Sequence, residues 1–243
     1  MDSTRASSLT IGPLADLALA LVATVGVILL LTTALDAPGL MALVCVVLFA
    51  GQSALVLGHW PMRTSFGWAN RTTLLRSVLV LPLVAWAPFL ASAGPAALWV
   101  FAITSLLALI LDGVDGKVAR ATNSHSAFGA RFDMELDALF ILGLSIAVLA
   151  LNKASFWVLL LGLMRYGFVA ASAVFTWLDR PLPESFRRKT VCVWQVVTLM
   201  IAVMPVTPAL FASATLGIAL ALLAWSFLVD IRWLHSRRFD HEN

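Results

Sequence analysis

Apolar runs long enough to cross a bilayer recur along most of this chain, and they constrain its fold more than any other feature. Each holds roughly 17–25 residues, enough for a helix to span about 30 Å of hydrocarbon. Leu, Val and Ala follow one another in these runs without strict two-residue alternation, which favours helices over a membrane barrel. In lipid, a helix also satisfies its own backbone polar groups. Composition agrees: of 243 residues, 61% are hydrophobic and only 12% charged, with a mean hydropathy of +0.95. A soluble domain carries about 25% charged residues, so an ordinary soluble globule is excluded. The formal charge of +3 would point to nucleic acid in a soluble protein. Here the basic residues fit cytoplasmic loops, and no nucleic-acid partner is expected.

The fold class expected is therefore all-α, a polytopic membrane helical bundle. Two spans come first, over residues 13–35 and 40–57, with Asp16 placed where a helix N-terminus favours an anion. Residues 58–76 form a polar connector with Trp60 and Trp68 suited to the membrane interface and a composition fit for a surface helix. Further spans follow over residues 73–91, from 96 into an acidic stretch, and out of it to 151. The last three cover residues 155–178, 190–204 and a final run ending at 230. Residues 1–58 thus form an N-terminal two-helix extension and residues 59–243 the main domain. If the N-terminus is cytoplasmic, fourteen of the sixteen Lys and Arg lie on the inner side. Only Lys153 falls outside, and Arg165 lies within a span. By the positive-inside rule both termini are cytoplasmic.

One stretch does not fit a plain scaffold. Residues 112–137 hold five of the thirteen acids, Asp112, Asp115, Asp133, Glu135 and Asp137, between long apolar runs where carboxylates are costly and usually functional. Asp112 and Asp115 are three apart and Asp133 and Asp137 four apart, so each pair shares a helix face. A short loop near residues 122–127 makes the two helices an antiparallel hairpin that brings the pairs together. Four close carboxylates repel unless cations neutralise them. An all-oxygen ligand set favours Mg²⁺ or Mn²⁺, and four carboxylates suit two such ions. Gly116 and Ala119 keep the face of Asp112 and Asp115 open, Arg120 offers a planar fork to a phosphate, and Gly129 lies one turn before Asp133. Ion pairing with Lys117, Arg120 and Arg131 in a solvated loop is the plain alternative, but it leaves the small residues unexplained.

The pattern Asp112-x2-Asp115-Gly116-x2-Ala119-Arg120-x8-Gly129-x3-Asp133-x3-Asp137 resembles the signature of the CDP-alcohol phosphotransferases at every defined position. Residues 70–76, Asn-Arg-Thr-Thr-Leu-Leu-Arg, look like the usual opening of that family's domain. The resemblance covers residues 59–243 and implies a six-helix core with its site near the cytoplasmic interface. It implies transfer of a phosphatidyl group from CDP-diacylglycerol, or a related group, to an alcohol with release of CMP. Carried over by position, Asp112, Asp115, Asp133 and Asp137 ligate two divalent ions, Mg²⁺ or Mn²⁺. Asp137 also serves as the base for the acceptor hydroxyl, which attacks the β-phosphate. Gly116, Ala119, Arg120 and Gly129 line the CDP-donor site. A homodimer is implied as well, in a membrane of the bacterial inner type.

The signature says little about the acceptor. Arg165, inside a span, together with Arg187, Arg188 and Lys189 in the following loop, forms a candidate cationic pocket for a phosphorylated alcohol. Snorkelling of Arg165 and simple positive-inside bias are the plain readings of the same residues. The Lys189-Thr190…Gln195 segment is similar to one in phosphatidylglycerophosphate synthases, which points to glycerol 3-phosphate. Inositol phosphate, serine or another alcohol is the alternative acceptor. A divalent-cation transporter is the rival from another class, and acids confined to the cytoplasmic ends of two spans argue against it.

Overall fold

The structure, a computed structural model, describes residues 13–60, 66–122, 126–180, 182–183 and 185–237, with the side chains of 114–122 outside the description. Eight α-helices fill most of it and no strand occurs among the described residues. They are α1 (Pro13–Ala34), α2 (Gly39–His59), α3 (Trp68–Trp86), α4 (Pro95–Thr122), α5 (Ala127–Ala150), α6 (Leu159–Val174), α7 (Phe186–Val203) and α8 (Ala209–Ser236). Six described helical segments are long and apolar enough to cross a membrane: α1, α2, α3 with the turn that continues it to Ser92, the first part of α4, α6 with the turn that precedes it from Phe156, and α8. The all-α membrane bundle expected from the sequence is the fold found. In α5 the first turns are taken by Asp133, Glu135 and Asp137, and α7 opens on Arg187, Arg188 and Lys189. Those charges keep both helices below that threshold.

Helix boundaries run past the apolar runs that define them. The third helix starts at Trp68, so Arg71 and Arg76 belong to it and not to a connector. Polar side chains make this possible by bonding back along the helix. Asn70 Nδ2 donates to the Phe66 carbonyl at 2.6 Å, and Thr72 and Thr73 donate to the Ala69 carbonyl at 2.8 and 3.1 Å. Such bonds satisfy the hydroxyl and amide groups without leaving the helix. Of residues 58–76, where a connector with a surface helix was expected, 68–76 belong to α3 and 61–65 lie outside the described residues. The sixth span is divided, with 3-10 turns at Phe156–Val158 and Thr176–Asp179 flanking α6.

The chain forms two compact units. In the first, comprising Met1–Trp86 and Ile103–Asp137, α1 and α2 both pack on α3. Their buried residues step by three and four: Leu17, Ala20, Thr24, Ile28 and Leu31 on α1, then Met41, Cys45, Phe49, Gln52 and Val56 on α2. The opposite faces are also apolar, with Leu19, Val22, Leu30 and Val47 exposed. Apolar residues on all sides are what a lipid-facing helix requires. Helix α3 buries polar residues as well, with Asn70, Thr73, Arg76 and Ser77 enclosed alongside Leu74, Val78 and Leu81 while Trp68 and Leu75 face outward. In lipid, apolar transfer does not drive helices together, so packing and polar contacts must. Gln52 Nε2 donates to Ser77 Oγ at 2.9 Å, a buried bond of a kind worth ~0.6 kcal/mol on average. Asp16, expected only as a helix-end anion, pairs with Arg71 Nε at 3.0 Å.

In the second unit, comprising Ala87–Ala102 and Ala138–Asn243, α7 and α8 pack along their length. The buried line of α8 is Ala212, Leu216, Ala219, Leu223, Ser226, Asp230 and Leu234, again at steps of three and four. Gln195 Nε2 donates to the Leu161 carbonyl at 2.6 Å, joining α7 to α6. Gly162 is the point where α6 meets α5: a Cβ there would lie 2.6 Å from Leu142 Cα. Backbone cannot yield as a side chain can. Gly162→Ala should therefore destabilise the protein by about 1–3 kcal/mol, read as a lower unfolding temperature of the detergent-solubilised chain, whereas Gly217→Ala, which meets open space, should leave it unchanged.

Candidate metal and active site

The acids of the signature reach their positions through two helices. Asp112 lies on α4, Asp133 and Asp137 on α5, and one carboxylate oxygen from each lies within 4.8 Å of the others. All three belong to the first compact unit. The four-residue step between Asp133 and Asp137 puts both on one face of α5. Asp115, Gly116, Ala119 and Arg120 also fall on α4, but their side chains lie outside the described residues.

The cluster rests on a cation at the overlap of the connector and the third span, a residue to which the sequence assigns no role in the site. Arg76, 2% exposed, reaches up from α3 with Nη1 against Asp112 Oδ1 and 3.1 Å from Asp133 Oδ1, and with Nη2 2.5 Å from Asp137 Oδ1. The carboxylates are 35%, 40% and 42% exposed. The guanidinium is therefore a floor beneath them, and their outer sides remain open. A signal for it was present in the sequence. Asn70, Thr73 and Arg76 recur at three-residue steps and so share one side of the helix, the pattern of a polar stripe turned inward.

Charge and lone pairs decide what else the cluster accepts. Among the described side chains, three carboxyl groups face one guanidinium, so acid groups outnumber the cation that holds them. Asp133 Oδ1 is shielded from solvent and accepts no hydrogen bond, since its approach to Arg76 lacks hydrogen-bond geometry. Buried acceptors are ordinarily satisfied, so this oxygen has capacity for a further cationic partner. Hard oxygens at this spacing, on acids that outnumber their cation, suit a divalent ion such as Mg²⁺ or Mn²⁺. The residues present fit the metal.

Gly129 sits in the first turn of α5, where its N–H is capped by Ser126 Oγ at 2.9 Å. A Cβ at this position would collide with Asn70 Oδ1 and lie 2.9 Å from Ser126 Oγ. Its lack of a side chain therefore has a packing reason in this structure, the close approach of Asn70 on α3. Nearby, Trp60 stacks edge-on to Phe66 and Phe128, with centroids 5.4 and 5.5 Å apart. The end of α2 thereby touches the start of the helix that carries Asp133 and Asp137.

The candidate acceptor residues lie in the second unit. Arg187, Arg188 and Lys189 form the first turn of α7 and not a loop, a place where cations oppose the helix dipole. Asp230 of α8 compensates, standing 2.5 Å from Arg187 Nη2 and 3.3 Å from Arg188 Nη1. Arg187 Nη1 also donates to the Ser226 hydroxyl at 2.8 Å, and Arg188 donates to the Pro183 carbonyl. Lys189 is exposed, and Arg165 is half-buried on α6.

A family model described as CDP-alcohol phosphatidyltransferase matches residues 66–229. No curated protein and no solved structure matches the chain. The matched region holds Asn70, Arg76 and all the acids of the cluster, while α1 and α2 precede it. The packing of Gly129 on Asn70 can be tested directly. Gly129→Ala should lower the unfolding temperature, and adding Asn70→Ala should recover most of the loss, because the two changes share one contact.

Proposed function

The chain belongs to the CDP-alcohol phosphatidyltransferase family, and from that premise we propose that it transfers a phosphatidyl group from CDP-diacylglycerol to glycerol 3-phosphate, releasing CMP in phospholipid biosynthesis. It is a transferase of substituted phosphate groups. The observation that carries the proposed mechanism is the three-carboxylate cluster of Asp112, Asp133 and Asp137, inside the matched region and open on its outer side. Asp115 completes the ligand set in this reading, and the four acids hold two divalent ions, Mg²⁺ or Mn²⁺. Bound there, such ions would neutralise charge on the donor's diphosphate and on the departing CMP.

The protein's own residues do the rest. Asp137 accepts the proton of the acceptor hydroxyl, so that the oxygen attacks the β-phosphorus while the bond to the CMP oxygen breaks. Arg76, beneath the acids, holds Asp137 Oδ1 and keeps that carboxylate aimed. Gly116, Ala119, Arg120 and Gly129 border the donor, with Arg120 meeting its phosphates. Arg165, Arg187, Arg188 and Lys189 supply the positive side for the acceptor phosphate. Asp230 holds the Arg187 and Arg188 forks in fixed directions, which suits orientation of a tetrahedral anion. Their shared cationic character supports a phosphorylated acceptor over serine. Inositol phosphate remains the second reading on the same ground.

The basic residues, gathered at one set of helix ends by the sequence count, support cytoplasmic termini and a cytoplasmic site in a bacterial-type inner membrane. In this reading residues 1–58 are an extension to a 59–243 domain, and the enzyme is a homodimer.

Purified protein given CDP-diacylglycerol and an acceptor should release CMP only with a divalent metal, and chelation should stop it. Asp137→Asn should lower kcat by about 10²–10⁴-fold, the scale of general base catalysis. CMP release without metal, or full turnover by that variant, defeats the mechanism. An acceptor panel read by product mass decides between glycerol 3-phosphate and inositol phosphate. Arg165→Met should raise KM for the phosphorylated acceptor more than for the CDP-lipid, and equal changes in both remove Arg165 from the acceptor side.

A further inference from the structure

The proposed mechanism gives the acids their chemistry but leaves open why a buried cation lies among them. Arg76 is 2% exposed and within ion-pair distance of Asp112, Asp133 and Asp137 at once. An arginine cannot lose its proton to escape burial, so this positive charge is permanent. Its helix is the most enclosed of the candidate spans, with 72% of its apolar window buried. Gln52 holds Ser77, the adjacent residue, and Asp16 holds Arg71 one turn and a half before. The guanidinium therefore enters the cluster from a fixed helix and is not a surface side chain passing by.

From this geometry we infer that Arg76 is a built-in counter-ion of the carboxylate cluster, which holds the acids together before metal arrives and sets how tightly a divalent cation binds. The inference rests on the metal-dependent reading of the same site. Two opposed effects follow from one guanidinium. It gathers three mutually repelling carboxylates, which lowers the cost of assembling a ligand set. It also occupies Asp112 Oδ1 and Asp137 Oδ1 with its own donors and repels any second cation. The repulsion is the larger effect, because Asp has only two side-chain torsions and both helices already fix the Cα positions. A full charge at contact distance acts on a divalent ion twice as strongly as on a proton. Arg76 is thus a positioning residue that keeps metal affinity moderate and the metal-free site intact.

The test is Mn²⁺ binding to the detergent-solubilised full chain, by calorimetry or by loss of the free-ion paramagnetic resonance signal, alongside unfolding temperatures with and without Mn²⁺. Arg76→Gln should bind Mn²⁺ at least about tenfold more tightly, since a charge in contact moves a carboxylate's proton affinity by about 1–3 log units. Its metal-free unfolding temperature should fall, and saturating Mn²⁺ should restore more of it than it adds to the parent protein. Arg76→Lys keeps the charge but not the fork, so its affinity should lie between the two. If Arg76→Gln does not fold even with Mn²⁺, Arg76→Lys carries the test alone, and a dissociation constant unchanged from the parent overturns the inference. Equal or weaker binding by a folded Arg76→Gln overturns it as well. Failure of the parent and both variants to bind Mn²⁺ instead overturns the metal-dependent reading beneath it.

Discussion

One guanidinium in a nearly uncharged interior sets the terms for the rest of the first unit. With only 12% of residues charged, the chain concentrates a buried Arg and three acids in one place, where each depends on the others. A buried charge whose partner is removed costs about 3–5 kcal/mol, a figure that the partial exposure of these acids reduces. Asp112, Asp133 and Asp137 therefore cannot be understood singly. They are arranged by Arg76 on α3 as much as by the helices that carry them.

This dependence explains why α3 is so fully enclosed and why helices outside the family match pack against it. Association within lipid gains nothing from moving apolar groups out of water. It relies on close fit and on polar bonds such as Gln52 to Ser77 and Asp16 to Arg71. Both bonds lie within a few residues of Arg76, on the helix that must not shift if the cluster is to keep its spacing. Trp60 makes a third link, through Phe128, to the first turn of α5. The N-terminal pair is thereby tied to α3, which carries Arg76, and to α5, which carries Asp133 and Asp137.

The second unit shows the same economy of charge with a different result. Three cations at the start of α7 oppose its dipole, and Asp230, twenty-five positions beyond the Pro205–Pro208 turn's first residue in sequence, answers two of them. A reading of the sequence alone treats Arg187, Arg188 and Lys189 as a loop available to a ligand. The polar run that precedes them looks like a connector, and a partner one helix away leaves no local mark. In the folded chain the two forks are directed by Asp230 and Ser226.

What the sequence determined by itself was whatever repeats locally or at fixed offsets. Run length and composition sufficed for an all-α membrane bundle, because lipid allows a helix few alternatives. The four-residue step from Asp133 to Asp137 sufficed to put those two acids on one helix face, and the short link expected between their helix and that of Asp112 sufficed to bring the three together. Boundaries were less legible: α3 and α7 begin several residues before their apolar runs, since polar side chains can bond back to the helix. Only the tertiary structure decided the partners. That Arg76 lies under the acids, that Asn70 is what keeps Gly129 bare, and that Asp16 answers Arg71 are all contacts across 36 to 61 positions of chain in the first unit. Nothing in local spacing encodes such pairings, because they depend on which helices lie side by side.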